Sequence, residues 1–184
     1  VVAGPTASGK TRLGIALAQE LGGEIVSADS MQIYRRMDIG TAKATAAEQA
    51  AVPHHMIDIL EPTASFSVAD FCARAKETIF QILSGGGVPI VAGGTGLYIS
   101  SLVDNVSFIK EETDKSVRAS LVKELEEIGK EAMHEKLEKI DPQAAAAIHP
   151  NNTKRVIRAL EVFFATGKTL TEQNARSKQT KSPF

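Results

Sequence analysis

Over the first hundred residues, short apolar runs alternate with stripes at helical spacing. Residues 1–3 (VVA) read as the end of a buried strand, and residues 12–21 as a helix closed by Gly22-Gly23. Residues 24–28 (EIVSA), 56–60 (MIDIL) and 88–92 (VPIVA) have the length and β-type composition of buried strands. Between the last two, Val68, Phe71, Ala75, Ile79, Ile82 and Leu83 recur at helical spacing. Ser67 opens that helix with Asp70 three residues on, the spacing of a capping box, and Gly85-Gly86-Gly87 ends it. Residues 30–53 show no clear element. So long a loop inside a compact domain points to a binding role. Strands alternating with helices imply a parallel, doubly wound sheet, whose ligands sit at the carboxyl ends of the strands.

From about residue 105 the texture changes. Residues 111–140 are charged, with Leu121, Leu125, Ile128, Leu137 and Ile140 at helical spacing. Residues 144–148 and 153–165 also read as helical, and Gly167 suits a helix C-cap. The expected architecture is α/β: a P-loop NTPase-like parallel sheet flanked by helices, with a small helical insertion. Its parts are residues 1–104 as core, 105–150 as insertion, and 151–184 as a returning helix and the start of a C-terminal part.

The most specific local signal is Gly4-Pro5-Thr6-Ala7-Ser8-Gly9-Lys10-Thr11, a complete G-x-x-x-x-G-K-[ST] loop between strand and helix. Its backbone N–H groups can cradle phosphate oxygens, and the helix that follows aims its positive end at them. Lys10 adds a point charge, and the Thr11 hydroxyl is the usual Mg²⁺ ligand. The loop therefore predicts a polyphosphate and Mg²⁺, but not what is done with them. Two further strand ends, Asp29-Ser30 and Gly93-Gly94-Thr95-Gly96, would converge on the same crevice. Asp29 there can be a general base, a metal ligand or a structural group.

Several longer segments carry a resemblance. These are the phosphate loop, Ser27-Ala28-Asp29-Ser30-Met31-Gln32-Ile33-Tyr34, Met37-Asp38-Ile39-Gly40-Thr41-Ala42-Lys43 and Val52-Pro53-His54-His55-Met56-Ile57-Asp58-Ile59. Phe66-Ser67-Val68-Ala69-Asp70-Phe71, Gly93-Gly94-Thr95-Gly96-Leu97-Tyr98-Ile99 and Arg158-Ala159-Leu160-Glu161-Val162 follow in order. Together they resemble the tRNA dimethylallyltransferase (isopentenyltransferase) family across most of the chain. The resemblance implies transfer of a dimethylallyl group from dimethylallyl diphosphate to N6 of the adenine just 3′ of the tRNA anticodon. It further implies a catalytic set of Asp29 as base, Thr6 near the reacting centre and Lys10 on the departing diphosphate. The diphosphate would lie on Gly4, Pro5, Thr6, Ala7, Ser8, Gly9, Lys10 and Thr11, with Mg²⁺ on Thr11. The tRNA anticodon stem-loop would meet Asp29, Ser30, Met31, Gln32, Thr95 and the stretch Lys154, Arg155, Val156, Ile157 and Arg158.

Charge is compatible with a polyanionic partner: residues 151–184 carry net +5 against −6 for residues 1–150. Lys154 and Arg158 fall on one helical face, although solvated charges over an apolar stripe (Val156, Leu160, Phe163, Phe164) would look the same. Cys72 is the sole cysteine and reads as a core thiol, which excludes a disulfide framework. His54-His55 cannot chelate one ion together, because neighbours in a strand point to opposite faces; a structural role is expected. No run approaches 18 apolar residues, so no membrane association, a cytoplasmic location and a monomer are expected. An N-terminus with its initiator Met is expected upstream. Family members continue past a segment like Lys181-Ser182-Pro183-Phe184, so further basic and active-site residues are expected downstream. A P-loop small-molecule or nucleotide kinase is the competing reading. It calls for an Arg-rich lid, which residues 105–140 do not supply. A non-catalytic RNA-binding module with a phosphate site is a third.

Overall fold

In a computed structural model, residues 1–108 and 115–177 are described, the side chains of Lys115, Arg176 and Ser177 excepted. The start of the helical pattern expected over 111–140 and the segment 181–184 lie outside the described residues. The chain divides into two compact units, Val1–Asn105 and Val106–Pro183.

The first unit is built on four parallel strands: β1 (Val2–Ala3), β2 (Gly23–Ser27), β3 (His54–His55) and β4 (Val88–Gly93), in the order β1-β4-β2-β3. The α/β expectation holds. Helix α1 (Lys10–Leu21) packs on the face that carries Ile25, Ile90 and Ala92, through Ile15 and Ala18. Val26 and Val91 alternate to the opposite face, towards α3 (Val68–Ser84). The Ser67–Asp70 capping box is formed in both directions, and Phe71, Ala75, Ile79 and Ile82 are buried as the stripe predicts. Leu83 departs from the stripe and stays about half exposed. A short helix, α4 (Gly96–Val103), follows β4 and stacks Tyr98 on Phe71.

Two expectations fail here. Residues 30–53 are not without an element, because Thr45 and Glu48 form a reciprocal capping box that starts α2 (Ala46–Ala51). Residues 56–60 are not a strand: β3 is only His54–His55, while Met56 (φ 62°) and Asp58 (φ 53°) turn left-handed. An isolated parallel bridge between Tyr34 and Leu60 continues the pairing among the described residues.

At the carboxyl edge, β2 and β4 approach closely. A Cβ on Gly93 would lie 2.2 Å from the Ala28 carbonyl oxygen, inside any real contact distance. The pairing continues past the strands, with Ala28 N–H donating to the Ala92 carbonyl (2.8 Å) and Thr95 N–H to the Ala28 carbonyl (3.1 Å).

The second unit is helical: α5 (Lys115–Ile140), α6 (Pro142–Ala147), α7 (Thr153–Thr166) and α8 (Leu170–Ser177). Its core joins Leu121, Met133 and Leu137 of α5 to Ala144 and Ala145 of α6 and Val156, Ile157 and Leu160 of α7. Gly129 (φ 81°, ψ 171°) breaks α5 and resets its helical phase, and Ile128 just before it is 46% exposed. Asp141 is buried and caps α6 through the Ala144 N–H (3.0 Å) while accepting from both N–H (3.0 Å) and Oγ1 (2.7 Å) of Thr171. Burial works against its charge, but the hydrogen bonds from Thr171, Ala144 and Leu170 outweigh it and hold the carboxyl below its ordinary range.

Two outcomes follow. Gly93→Ala should destabilise the first unit by about 1–3 kcal/mol in denaturant melts, the cost of overpacking against backbone that cannot yield. Asp141 contributes stability that is present above the unfolded carboxylate pKa and lost as pH falls through its lower native value. Asp141→Asn should remove that acid dependence and cost about 1–3 kcal/mol at neutral pH. Unchanged melts for either variant would contradict these contacts.

Candidate active site

The loop between β1 and α1 is shaped by two left-handed residues. Gly9 (φ 80°) is the N-cap of α1, and Ala7 (φ 64°) adopts a left-handed conformation that costs a non-glycine residue about 1 kcal/mol or more. Strain of this kind is expected where a loop is shaped for a ligand. Lys10 Nζ folds over the loop and donates to the Pro5 carbonyl at 2.5 Å.

A cavity of about 380 Å³ opens beside this loop. Thr6, Ala7, Ser8, Gly9, Lys10, Thr11 and Arg12 line one side, and Asp29, Gln32, Gly93 and Gly94 line the strand ends. Ile25, Ala44 and Ile57 add apolar wall, and Glu48 and His54 add polar groups. Gly4 and Pro5 face a separate groove on the other side of the loop, together with Val2, Leu13 and Ala16. The structure therefore brings Thr6, Lys10, Thr11 and Asp29 to one cavity.

Asp29 is held by its own turn. Its Oδ1 accepts from the backbone N–H groups of Met31 (2.9 Å) and Gln32 (3.3 Å). Oδ2 has no protein partner among the described residues, so it is available to a ligand. Ser30 N–H donates to Thr95 Oγ1 (2.9 Å), which locks the turn after β2 to the turn after β4. Ser30, Met31 and Thr95 sit beside the cavity rather than in its lining, and Met31 is 44% exposed. Gln32 is committed to the protein. Its Oε1 accepts from Ser27 Oγ (3.2 Å), and its Nε2 donates to the carbonyls of Thr41 (3.1 Å) and Ala42 (3.3 Å).

Lys43 had no assigned role from sequence, yet it holds the outer wall. Its side chain is almost fully buried and donates to the Tyr34 carbonyl (2.8 Å), Asp38 Oδ1 (2.8 Å) and Asp58 Oδ1 (2.5 Å). Burial disfavours its charge, but the bonds to Asp38 and Asp58 prevail and raise its pKa. Its invisibility in the sequence is understandable, since its partners lie five and fifteen residues away in irregular backbone.

His54 and His55 do face opposite ways. His54 Nδ1 pairs with the Val52 carbonyl (2.7 Å) and His55 Nε2 with Glu24 Oε2 (2.5 Å). Among the described residues, no group of three or more His, Cys, Asp or Glu side chains could hold a metal.

In the second unit, Lys154 and Arg155 are exposed on α7. Arg158 is also accessible, but its Nη1 donates to the buried Glu161 Oε2 (3.0 Å), which also accepts from Arg118 (3.2 Å). Val156 and Ile157, expected to meet tRNA, are instead buried in the helical core of this unit. Lys154, Arg155 and Arg158 carry whatever this helix presents to an anion. No described helix is long and apolar enough to cross a membrane.

Comparison with known proteins places these features. The IPP transferase family model matches residues 32–184, and an isopentenyl transferase model matches residues 1–59. A tRNA dimethylallyltransferase of Halalkalibacterium halodurans is 51% identical over 183 residues, covering 100% of this chain and 58% of that protein. One from Bacillus subtilis is 50% identical over 179 residues, covering 97% of this chain and 57% of its own length. Among solved structures, a eukaryotic dimethylallyltransferase acting on tRNA is 30% identical with a TM-score of 0.78, over 98% of this chain and 44% of that one. A full-length tRNA isopentenylpyrophosphate transferase of Bacillus halodurans is 51% identical with a TM-score of 0.58, over 90% and 55%. The chain thus spans little more than half the length of the curated relatives it matches.

Because Lys43 has a raised pKa, the stability it contributes should be full below the ordinary lysine value and fall as pH rises through its native value. Lys43→Met should flatten this alkaline loss in chemical denaturation and speed amide exchange across residues 32–44. Exchange unchanged from the parent would show that the wall does not depend on Lys43.

Proposed function

Because this chain belongs to the IPP transferase family, we propose that it forms the donor-binding and catalytic part of a tRNA dimethylallyltransferase. The reaction moves a dimethylallyl group from dimethylallyl diphosphate to N6 of the adenine 3′-adjacent to the anticodon and releases diphosphate. One observation carries this reading: residues 6–11 of the phosphate loop and a carboxylate with an open oxygen line the same cavity.

The residues divide the chemistry between them. The N–H groups of the loop, the N-terminus of α1 and Lys10 bind the diphosphate and stabilise the charge that grows on it as the C–O bond breaks. Thr11, which lines the cavity, would be the protein ligand of a Mg²⁺ ion that otherwise keeps its waters and binds through phosphate oxygens. When bound, it supplies further neutralisation of the leaving group. Asp29, anchored through Oδ1, uses Oδ2 to accept the proton that N6 sheds after attacking the allylic carbon. Thr6 orients the reacting groups from the cavity wall. The adenine must leave its stack to enter, as base-modifying chemistry generally requires. Asp29, Ser30, Met31, Gln32 and Thr95 form the rim that receives it. Gln32 acts by bracing that rim, since its carboxamide is already occupied. Lys154, Arg155 and Arg158 contact RNA phosphates, which positions the substrate without reading its sequence.

Transfer of label from dimethylallyl diphosphate into unmodified tRNA, with Mg²⁺ present, tests the proposal. Asp29→Asn should slow transfer by about 10²–10⁴-fold while diphosphate still binds. A wild-type rate in that variant would remove Asp29 as the base. Neutralising Lys154 or Arg155 should lower the slope of log affinity against log salt by about 0.7–0.9 per lost phosphate contact. An unchanged slope would return α7 to a purely structural role.

A further inference from the structure

We propose that Arg118 of α5 is a further RNA-phosphate contact of the second unit, acting beside Arg158, with Glu161 holding the two guanidiniums together. This inference rests on the functional reading above, in that it takes the anion that meets α7 to be tRNA.

Glu161 stands on α7 with its side chain only 5% exposed. A buried carboxylate needs a cationic partner, because an unpaired charge is costly away from water. Glu161 has two. Its Oε2 accepts from Nη1 of Arg158 (3.0 Å), one turn back on α7, and from Nη1 of Arg118 (3.2 Å) on α5. One guanidinium suffices to neutralise one carboxylate, so the trio keeps a positive charge in excess. Two guanidiniums on one oxygen also set like charges side by side, a cost that an approaching anion relieves.

The rest of each guanidinium is open to a ligand. Arginine carries five N–H donors in a planar fork, and among the described residues only Nη1 of each is engaged. Both side chains are 48% exposed. Neighbouring acids do not compete for them. The chain has no Asp or Glu between Asp141 and Glu161, and the next carboxylate after Arg118 on α5, Glu124, accepts from Lys136 (2.6 and 2.8 Å). Lys154 is exposed one turn before Arg158 on the same face of α7. Arg118, Arg158 and Lys154 therefore make a run of cations that passes from α5 to α7, and the carboxylate two of them share is buried. Such a run suits a sugar–phosphate backbone. The guanidinium fork matches phosphate oxygens, and contacts of this kind set the register of the RNA without reading its sequence.

Affinity for unmodified tRNA, measured against salt concentration, tests the inference in R118Q and R118K. Arg158 keeps Glu161 paired in both variants, so both should fold, and thermal melts check this. R118Q should lower the slope of log affinity against log salt by about 0.7–0.9, while R118K, which keeps the charge, should keep the wild-type slope. If R118Q melts far below wild type, R118Q/E161Q removes the buried charge as well and carries the same slope test against E161Q. A merely structural tie between α5 and α7 would leave the slope unchanged on loss of Arg118, and that result would overturn the inference. Equal losses of slope in R118Q and R118K would overturn it too, since the retained charge would then count for nothing. A wild type that binds tRNA without dependence on salt, or not at all, would overturn the functional reading and this inference with it.

Discussion

The close approach of β2 and β4 at their carboxyl ends governs the site. Only a residue without a side chain fits at position 93, because the Ala28 carbonyl occupies the space that a Cβ would take. With the strands this close, the Ala28–Ala92 pairing runs one step beyond the sheet, and Thr95 can reach both the Ala28 carbonyl and the Ser30 N–H. Asp29 is caught between these two points. Its carboxylate then faces the same cavity as the phosphate loop, which leaves β1 next to β4. A parallel sheet makes this convergence possible, since all its strands end on one edge.

Around that fixed centre, irregular backbone is held by side chains rather than by a ladder. Gln32 ties the turn after β2 to residues 41 and 42, and Lys43 ties residues 34, 38 and 58 to one buried ammonium. The wall so formed has small and branched apolar residues, Ala44 and Ile57, facing a polar loop. That division suits a ligand with an ionic head and a short hydrocarbon tail. A phosphate loop alone is equally suited to a nucleotide; the neighbouring carboxylate and apolar wall are what support the proposed departing diphosphate.

The fold was legible where one residue type dominates an element. The buried runs at 24–28 and 88–92 and the stripe of α3 stand out because both faces, or one face, exclude water. α2 has no legible stripe because its six residues bury nothing, although Thr45-Ala46-Ala47-Glu48 spells its capping box. The run at 56–60 misled because it is apolar without being extended: Met56 and Asp58 turn left-handed where Asp58 meets Lys43. Residues 6–11 of the loop and Asp29, which share the cavity, are legible from motif and resemblance. Val156 belongs to the apolar stripe legible in the sequence of α7, and Ile157 beside it joins the same helical core. The unpartnered Nε2 of His54 could not be read at all, since it depends on which atoms of the folded wall fail to reach it.

The central claim is that the phosphate loop holds a diphosphate that leaves, and not a phosphoryl group that is transferred. Phosphorus NMR during turnover addresses it directly. With dimethylallyl diphosphate, Mg²⁺ and unmodified tRNA, the donor signals should give way to inorganic diphosphate, one for each adenine prenylated, with no ATP required. Donor signals that stay unchanged, while added ATP is converted to ADP and a new phosphate ester, would contradict the account.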